Sequence, residues 1–227
     1  MSRLTHKGQI NSASAAGVLV TLGIIFGDLG TSPLYVMRAI LAGASTISES
    51  FIVGGLSCIF WTLTLQTTIK YIIITIRADN KGEGGIFALF ALIRRKAKWA
   101  YVFAIIGGCT LLSDGIITPA ITIVSAVEGL NMVSARLPVV PIALVIITGL
   151  FFIQKFGTSV VGKSFGPIMF TWFFMLGTLG MIQILYYPGI LKAVNPYYAY
   201  HFLTAFPQGF MLLGAVFLCT TGADALY

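Results

Sequence analysis

Gly23-Ile24-Ile25-Phe26-Gly27-Asp28-Leu29-Gly30-Thr31-Ser32-Pro33-Leu34-Tyr35 lies in the middle of an apolar run from Ala15 to Gly43. A run of that length and composition predicts one long helix. The quoted stretch interrupts it, because Gly27, Gly30 and Pro33 fall within seven residues. Glycine is conformationally permissive and proline removes a backbone donor, so the helix is expected to break here into two halves. The break also carries a carboxylate, Asp28, followed by the hydroxyls of Thr31, Ser32 and Tyr35.

The rest of the chain says what surrounds that break. Of 227 residues, 57% are apolar and only 9% charged, and the mean hydropathy is +0.94. A soluble domain carries roughly 25% charged residues, since water must meet something polar. Fourteen basic and seven acidic side chains cannot coat a globule of 24.4 kDa, so a soluble enzyme is excluded. The net charge of +7 does not indicate a nucleic-acid partner, because apolar runs separate the basic residues instead of one face gathering them. The chain reads as an all-α integral membrane protein.

Crossing the hydrocarbon core takes about 20 apolar residues. Six segments qualify or nearly so: Ala15–Gly43, Phe51–Ile76, Ala100–Leu130, Val139–Gln154, Phe165–Tyr187 and Phe206–Tyr227. Residues 1–14 form a polar tail, and residues 15–227 a transmembrane domain. Gly85–Ile93 is apolar but too short to cross. Arg94, Arg95, Lys96 and Lys98 follow it, so residues 85–98 are expected to form a helix on the membrane surface. Alternating the spans puts ten basic residues on one side: Arg3, Lys7, Arg77, Lys81, Arg94, Arg95, Lys96, Lys98, Lys155 and Lys163. The other side holds Arg38, Arg136 and Lys192, while Lys70 lies within span 2. The positive side faces the cytoplasm, which places the N-terminus inside, and no cleavable leader is expected. The last span ends at Tyr227 without a polar cap or basic anchor, as expected of the N-terminal portion of a longer chain. The three cysteines, Cys58, Cys109 and Cys219, lie in apolar runs and are expected to pack as small residues.

Ionisable groups at the bilayer centre cost on the order of 2.5–3.5 kcal/mol each, so their placement is informative. Glu49, Asp79 and Glu83 fall in loops and Glu128 near the outer end of span 3, which leaves Asp28, Asp114 and Asp224 at depth. Unwound backbone at that depth survives only where it lines a cavity or is buried in protein. Its freed carbonyls and the Asp28 carboxylate together make an oxygen-rich cation site. The bland alternative is a kink whose aspartate caps the second half-helix. In span 3, Thr110, Asp114, Thr118, Thr122, Ser125 and Glu128 share one helix face about 120° wide. Such a stripe suits cation ligands or a wet path, and equally suits hydrogen bonding between helices. Thr220-Thr221-Gly222-Ala223-Asp224 places a second break and a third acid in span 6. Interrupted helices at matching positions of two halves are the best sequence pointer to a transporter binding site. The glycine turn Arg77–Gly85 lacks the P-loop pattern and reads as a cytoplasmic hinge.

Five segments, in order and spread over most of the chain, resemble the signatures of the KUP/HAK/KT potassium uptake family. They are Gly27–Tyr35, Arg77–Gly85, Gly115-Ile116-Ile117-Thr118-Pro119-Ala120-Ile121, Ser125–Leu130 and Gln154–Thr158. The resemblance implies proton-coupled potassium import by a LeuT-like inverted-repeat bundle of the amino acid–polyamine–organocation superfamily. This chain would supply the first five-helix repeat and part of helix 6, with helices 1 and 6 discontinuous at Gly27, Gly30, Pro33 and Gly222. It further implies potassium at Asp28, Tyr35, Thr118, Thr122 and Thr221, with Asp114 and Asp224 as proton-coupling or cation-binding acids. Many relatives carry glutamate where this chain has Asp224. No cofactor is expected beyond the transported potassium ion and proton. The expected surroundings are plasma-membrane lipid, with a homodimer as the assembly to test.

Three rivals fit less well. An organic-solute symporter of the same architecture would bind its substrate's carboxylate at the span 1 break, where Asp28 repels it. A channel would line its filter with symmetric rings from several subunits, not with unlike acids of one chain. An enzyme would need a nucleophile–base pair or a metal-ligand cluster, and neither stands out in the sequence.

Overall fold

A computed structural model describes residues 15–44, 47–75, 85–94, 96–131, 137–154, 158–206 and 208–223. Among these residues every regular element is helical. The tail before Ala15, the hinge residues 76–84 and Asp224 lie outside the described residues.

Span 1 is two helices, α1 (Ala15–Leu29) and α2 (Ser32–Ala42). The chain turns at Gly30 and Thr31, whose N–H groups donate to the carbonyls of Phe26 and Asp28 at 2.9 and 3.1 Å. Of the three expected breakers, Gly30 sits at the break itself. Gly27 stays inside α1, and Pro33 falls in the first turn of α2, where a missing N–H removes no hydrogen bond. Gly30 is glycine for want of space, because a Cβ there would lie 2.4 Å from the Phe173 ring.

Span 2 begins as α3 (Glu49–Leu63), capped by the Ser48 hydroxyl accepting from Phe51 N–H. It continues as a π-helical segment, Thr64–Ile74. The widening starts where Thr64 Oγ1 donates back to Phe60 O at 2.8 Å, a bond that competes with the regular ladder. The short helix α4 (Ile86–Ile93) lies on α5 (Ala100–Leu130), with Ile86 and Phe87 against Gly107 and Gly108. Next come α6 (Val139–Gln154) and α7 (Thr158–Tyr186), the latter beginning seven residues before the apolar run at Phe165. Three described helices are long and apolar enough to cross a membrane: Glu49–Ile74, Ala100–Leu130 and Phe165–Tyr186.

The stretch between the fifth and sixth apolar segments is ordered as a 3-10 turn, Pro188–Val194, and a helix, α8 (Pro196–Ala205). Its start is written locally: the Asn195 side chain accepts from Tyr197 N–H at 2.9 Å, and Pro196 takes the first helical position. Its partner is not local. Phe202 is fully buried, so close to α3 that a Cβ on Gly54 would be 2.8 Å from the Phe202 Cβ. Span 6 then follows as α9 (Gly209–Phe217) and a 3-10 turn, Leu218–Thr220.

Two packing units hold the breaks in place. One is an apolar core drawn from α2, α3, α8 and span 6, with Val36, Ile40, Phe51, Ile59, Phe202 and Val216 among its buried members. The other is the α1–α7 pair, which approaches so closely that a Cβ on Gly23 would fall 2.4 Å from Gly166 N. Small residues at such a crossing let two backbones meet where lipid supplies no hydrophobic drive. Cys58 and Cys219 pack in the core as small residues, whereas Cys109 faces outward from α5.

Candidate functional site

The two helix breaks meet. Gly222 follows the 3-10 turn of span 6 with φ +83°, a backbone conformation that side chains disfavour. It also has no room for one, since a Cβ there would lie 2.7 Å from Asp28 Cβ and 2.8 Å from Asp28 Oδ2. The carboxylate of the first break therefore rests against the backbone of the second.

Beside that contact three hydroxyls form a triangle. Tyr35 OH is 2.8 Å from Ser32 Oγ and 2.6 Å from Thr221 Oγ1, and Ser32 Oγ is 2.8 Å from Thr221 Oγ1. Ser32 and Tyr35 stand three residues apart on α2, which brings them to one face; Thr221 arrives from 189 residues beyond Ser32. Backbone oxygens frame the group. Ser32 Oγ is 3.1 Å from the Asp28 carbonyl, and Thr221 Oγ1 is 2.8 Å from the Leu218 carbonyl. Thr31 Oγ1 donates to the same Asp28 carbonyl at 3.0 Å, and Trp172 Nε1 of α7 donates to the Gly30 carbonyl at 3.4 Å. Both half-helices that run into the breaks, α1 and the first half of span 6, present their C-terminal ends there. Those ends carry partial negative charge, which favours a cation.

The polar stripe of α5 divides. Thr118, 3% exposed, donates to Asp114 Oδ1 at 2.8 Å, and Thr122 Oγ1 is buried without a hydrogen-bond partner among the described residues. Thr110 is exposed and donates to the Gly107 carbonyl, so it stands apart from the others. Glu128 accepts from Arg38 of α2 at 2.6 Å, a pairing that ties the outer half of span 1 to α5. The described hydrogen bonds bring Tyr35 and Thr221 together, with Asp28 at Gly222, but do not join Asp114 or Thr118 to them.

Sequence reasoning had Ser32 only as one hydroxyl among several and missed Arg38–Glu128. The i, i+3 spacing of Ser32 and Tyr35 was a usable signal for the first. Nothing in the chain pairs Arg38 with a residue 90 positions on before α2 and α5 are placed side by side.

An all-helical chain with membrane-length apolar helices, and two broken helices meeting at a carboxylate and a hydroxyl triangle, defines an integral membrane protein with a polar site between its halves. Residues 15–227 match the family described as K+ potassium transporter, integral membrane domain, and the chain belongs to that family. It is 59% identical over 227 residues to the "Probable potassium transport system protein Kup" of Flavobacterium johnsoniae, covering 98% of this chain and 34% of that protein. The protein of the same description from Cytophaga hutchinsonii is 63% identical over 219 residues, covering 94% of this chain and 33% of the relative. That from Latilactobacillus sakei is 52% identical over 228 residues, at 94% and 33% coverage. The chain thus spans about a third of the length of the curated relatives it matches. No solved structure matches it significantly.

Proposed function

We propose that the protein imports potassium across the plasma membrane by alternating access, coupled to proton entry, with its N-terminus in the cytoplasm. Asp28, Tyr35 and Thr221 bind the ion at the meeting of the two breaks. Thr118 and Thr122 add oxygens from α5, and Asp114 and Asp224 carry the coupled proton or share the cation. The architecture proposed for the full-length protein is the LeuT-like inverted repeat, with this chain as the first five helices and part of the sixth.

The observation that carries this reading is the contact between Asp28 and Gly222 beside the Tyr35–Thr221 hydroxyls. It places one negative charge, several hydroxyls and two helix C-terminal ends about one point, a donor set of modest charge. Calcium typically collects several carboxylates, so such a set suits a monovalent ion. The buried oxygen of Thr122, without a hydrogen-bond partner among the described residues, is a further ligand atom of the same kind.

The test is rubidium uptake into proteoliposomes containing the full-length protein, with and without an inward proton gradient. Uptake that the gradient stimulates and potassium competes away is expected. Asp28→Asn should abolish uptake while membrane insertion persists. Normal transport by that variant would remove the site assignment, and uptake indifferent to the gradient would remove proton coupling.

A further inference from the structure

The hydroxyl triangle holds more oxygen contacts than protons. Its three edges measure 2.8, 2.8 and 2.6 Å, and contacts of 3.1 Å to the Asp28 carbonyl, 3.4 Å to the Thr221 carbonyl and 2.8 Å to the Leu218 carbonyl make six. Ser32, Tyr35 and Thr221 contribute one hydroxyl proton each, while carbonyl oxygens contribute none. Three protons cover six oxygen–oxygen contacts only by being shared in three-centre hydrogen bonds, so lone pairs are in excess about the group. An excess of buried lone pairs about one point is a setting that a cation among the oxygens stabilises. Ser32 Oγ takes part in four of the six contacts. Its side chain is fully buried, so solvent does not supply the balance.

We infer that Ser32 Oγ is a direct ligand of the transported cation, bound together with Tyr35 OH and Thr221 Oγ1, and not merely a link between the broken helices. The inference rests on the cation-transport reading above and adds a residue to its site. In the bound state Ser32 turns its proton toward the Asp28 carbonyl and Thr221 toward the Leu218 carbonyl, leaving their lone pairs and those of Tyr35 to converge on the ion. Serine suits the position by size as well as by chemistry, since one short side chain touches both the loop it closes and the facing break.

Two substitutions in the full-length transporter test this by uptake of rubidium and thallous ions into proteoliposomes. Ser32→Ala deletes one atom and one ligand. An interaction of a hydroxyl with a charged group is worth about 1.5–3 kcal/mol, so half-saturating rubidium should rise at least about tenfold. Ser32→Cys replaces a hard oxygen by a softer sulfur. Soft ligands favour soft ions, so uptake of thallous ion relative to rubidium should increase several-fold over the unsubstituted protein. A residue that only positions its neighbours would not move that ratio. Unchanged half-saturation in Ser32→Ala overturns the inference whatever the cysteine variant does, and an unchanged ratio in an active Ser32→Cys overturns direct ligation. Failure of the unsubstituted protein to take up either ion would instead overturn the transport reading.

Discussion

The helix breaks and the α5 stripe are built from the same side-chain types, yet they differ in how their oxygens are assembled. At the breaks, Ser32 and Tyr35 meet Thr221 across 189 residues of chain, and Asp28 lies against the backbone of Gly222. On α5, Asp114 is bonded by Thr118 four residues on, within one helix. The first group exists only while two helices stay in register. The second forms wherever α5 is helical. A group that depends on the meeting of two elements can be opened and closed by moving one of them, whereas an i, i+4 pair travels with its helix. On the proposed reading the breaks are the part of the site that opens and closes, while the α5 pair keeps its own geometry as it contributes Thr118.

Gly222→Ala attacks the comparison at its strongest point and should have the largest effect. The left-handed backbone at φ +83° costs a non-glycine residue roughly 1–2 kcal/mol. The new Cβ would also lie 2.7 Å from Asp28 Cβ, well inside contact distance. Loss of most rubidium uptake is expected, with a lower melting temperature of the solubilised full-length protein. Full uptake by that variant would mean that the two breaks part during transport without needing the contact described here.

How much was legible before the fold follows the same division. Apolar runs and helix punctuation are local, so the breaks, the apolar segments and the Asp114–Thr118 face could be read from spacing. The helix α8 could not, although Asn195 and Pro196 announce its start. It is too short and too mixed in polarity to be told from a loop until Phe202 is seen filling the space beside Gly54. The position of the span 1 turn was legible only to within a few residues. Gly27, Gly30 and Pro33 all permit it, and only in the fold does Gly30 stand out, where a Cβ would meet the Phe26 carbonyl at 2.7 Å and the Phe173 ring of α7. The part of the candidate site that is tertiary, the seating of Asp28 on Gly222 and of Ser32 on Thr221, leaves no periodic trace in the chain.

Asp114→Asn sharpens the comparison with a smaller effect than Gly222→Ala. The amide keeps an oxygen to accept from Thr118 but neither carries charge nor takes up a proton. If Asp114 couples the proton, rubidium uptake should persist in the variant but no longer respond to an inward proton gradient. Half-saturating rubidium should stay within a few-fold, because the ligands at the breaks are untouched. A large loss of rubidium affinity with the gradient response intact would instead place Asp114 itself among the ion's ligands, beside Thr118.

The smallest effect is expected where the two regions are joined at the surface. Arg38 of α2 reaches Glu128 of α5 at 2.6 Å, but the two side chains are 55% and 37% exposed. An exposed pair is worth about 0.2–1 kcal/mol, since water competes for both charges and ordering two long side chains costs entropy. Arg38→Gln and Glu128→Gln should each shift half-saturating rubidium by no more than a few-fold. The reversed pair, Arg38→Glu with Glu128→Arg, should recover most of that shift at low salt. Because exposed charges are screened within about 10 Å at 0.1 M salt, raising the ionic strength should erase the difference between the single variants and the unsubstituted protein. A loss as deep as that of Asp28→Asn, unaffected by salt, would show that α2 must be held against α5 for the ion to bind, and the independence of the two regions would fail.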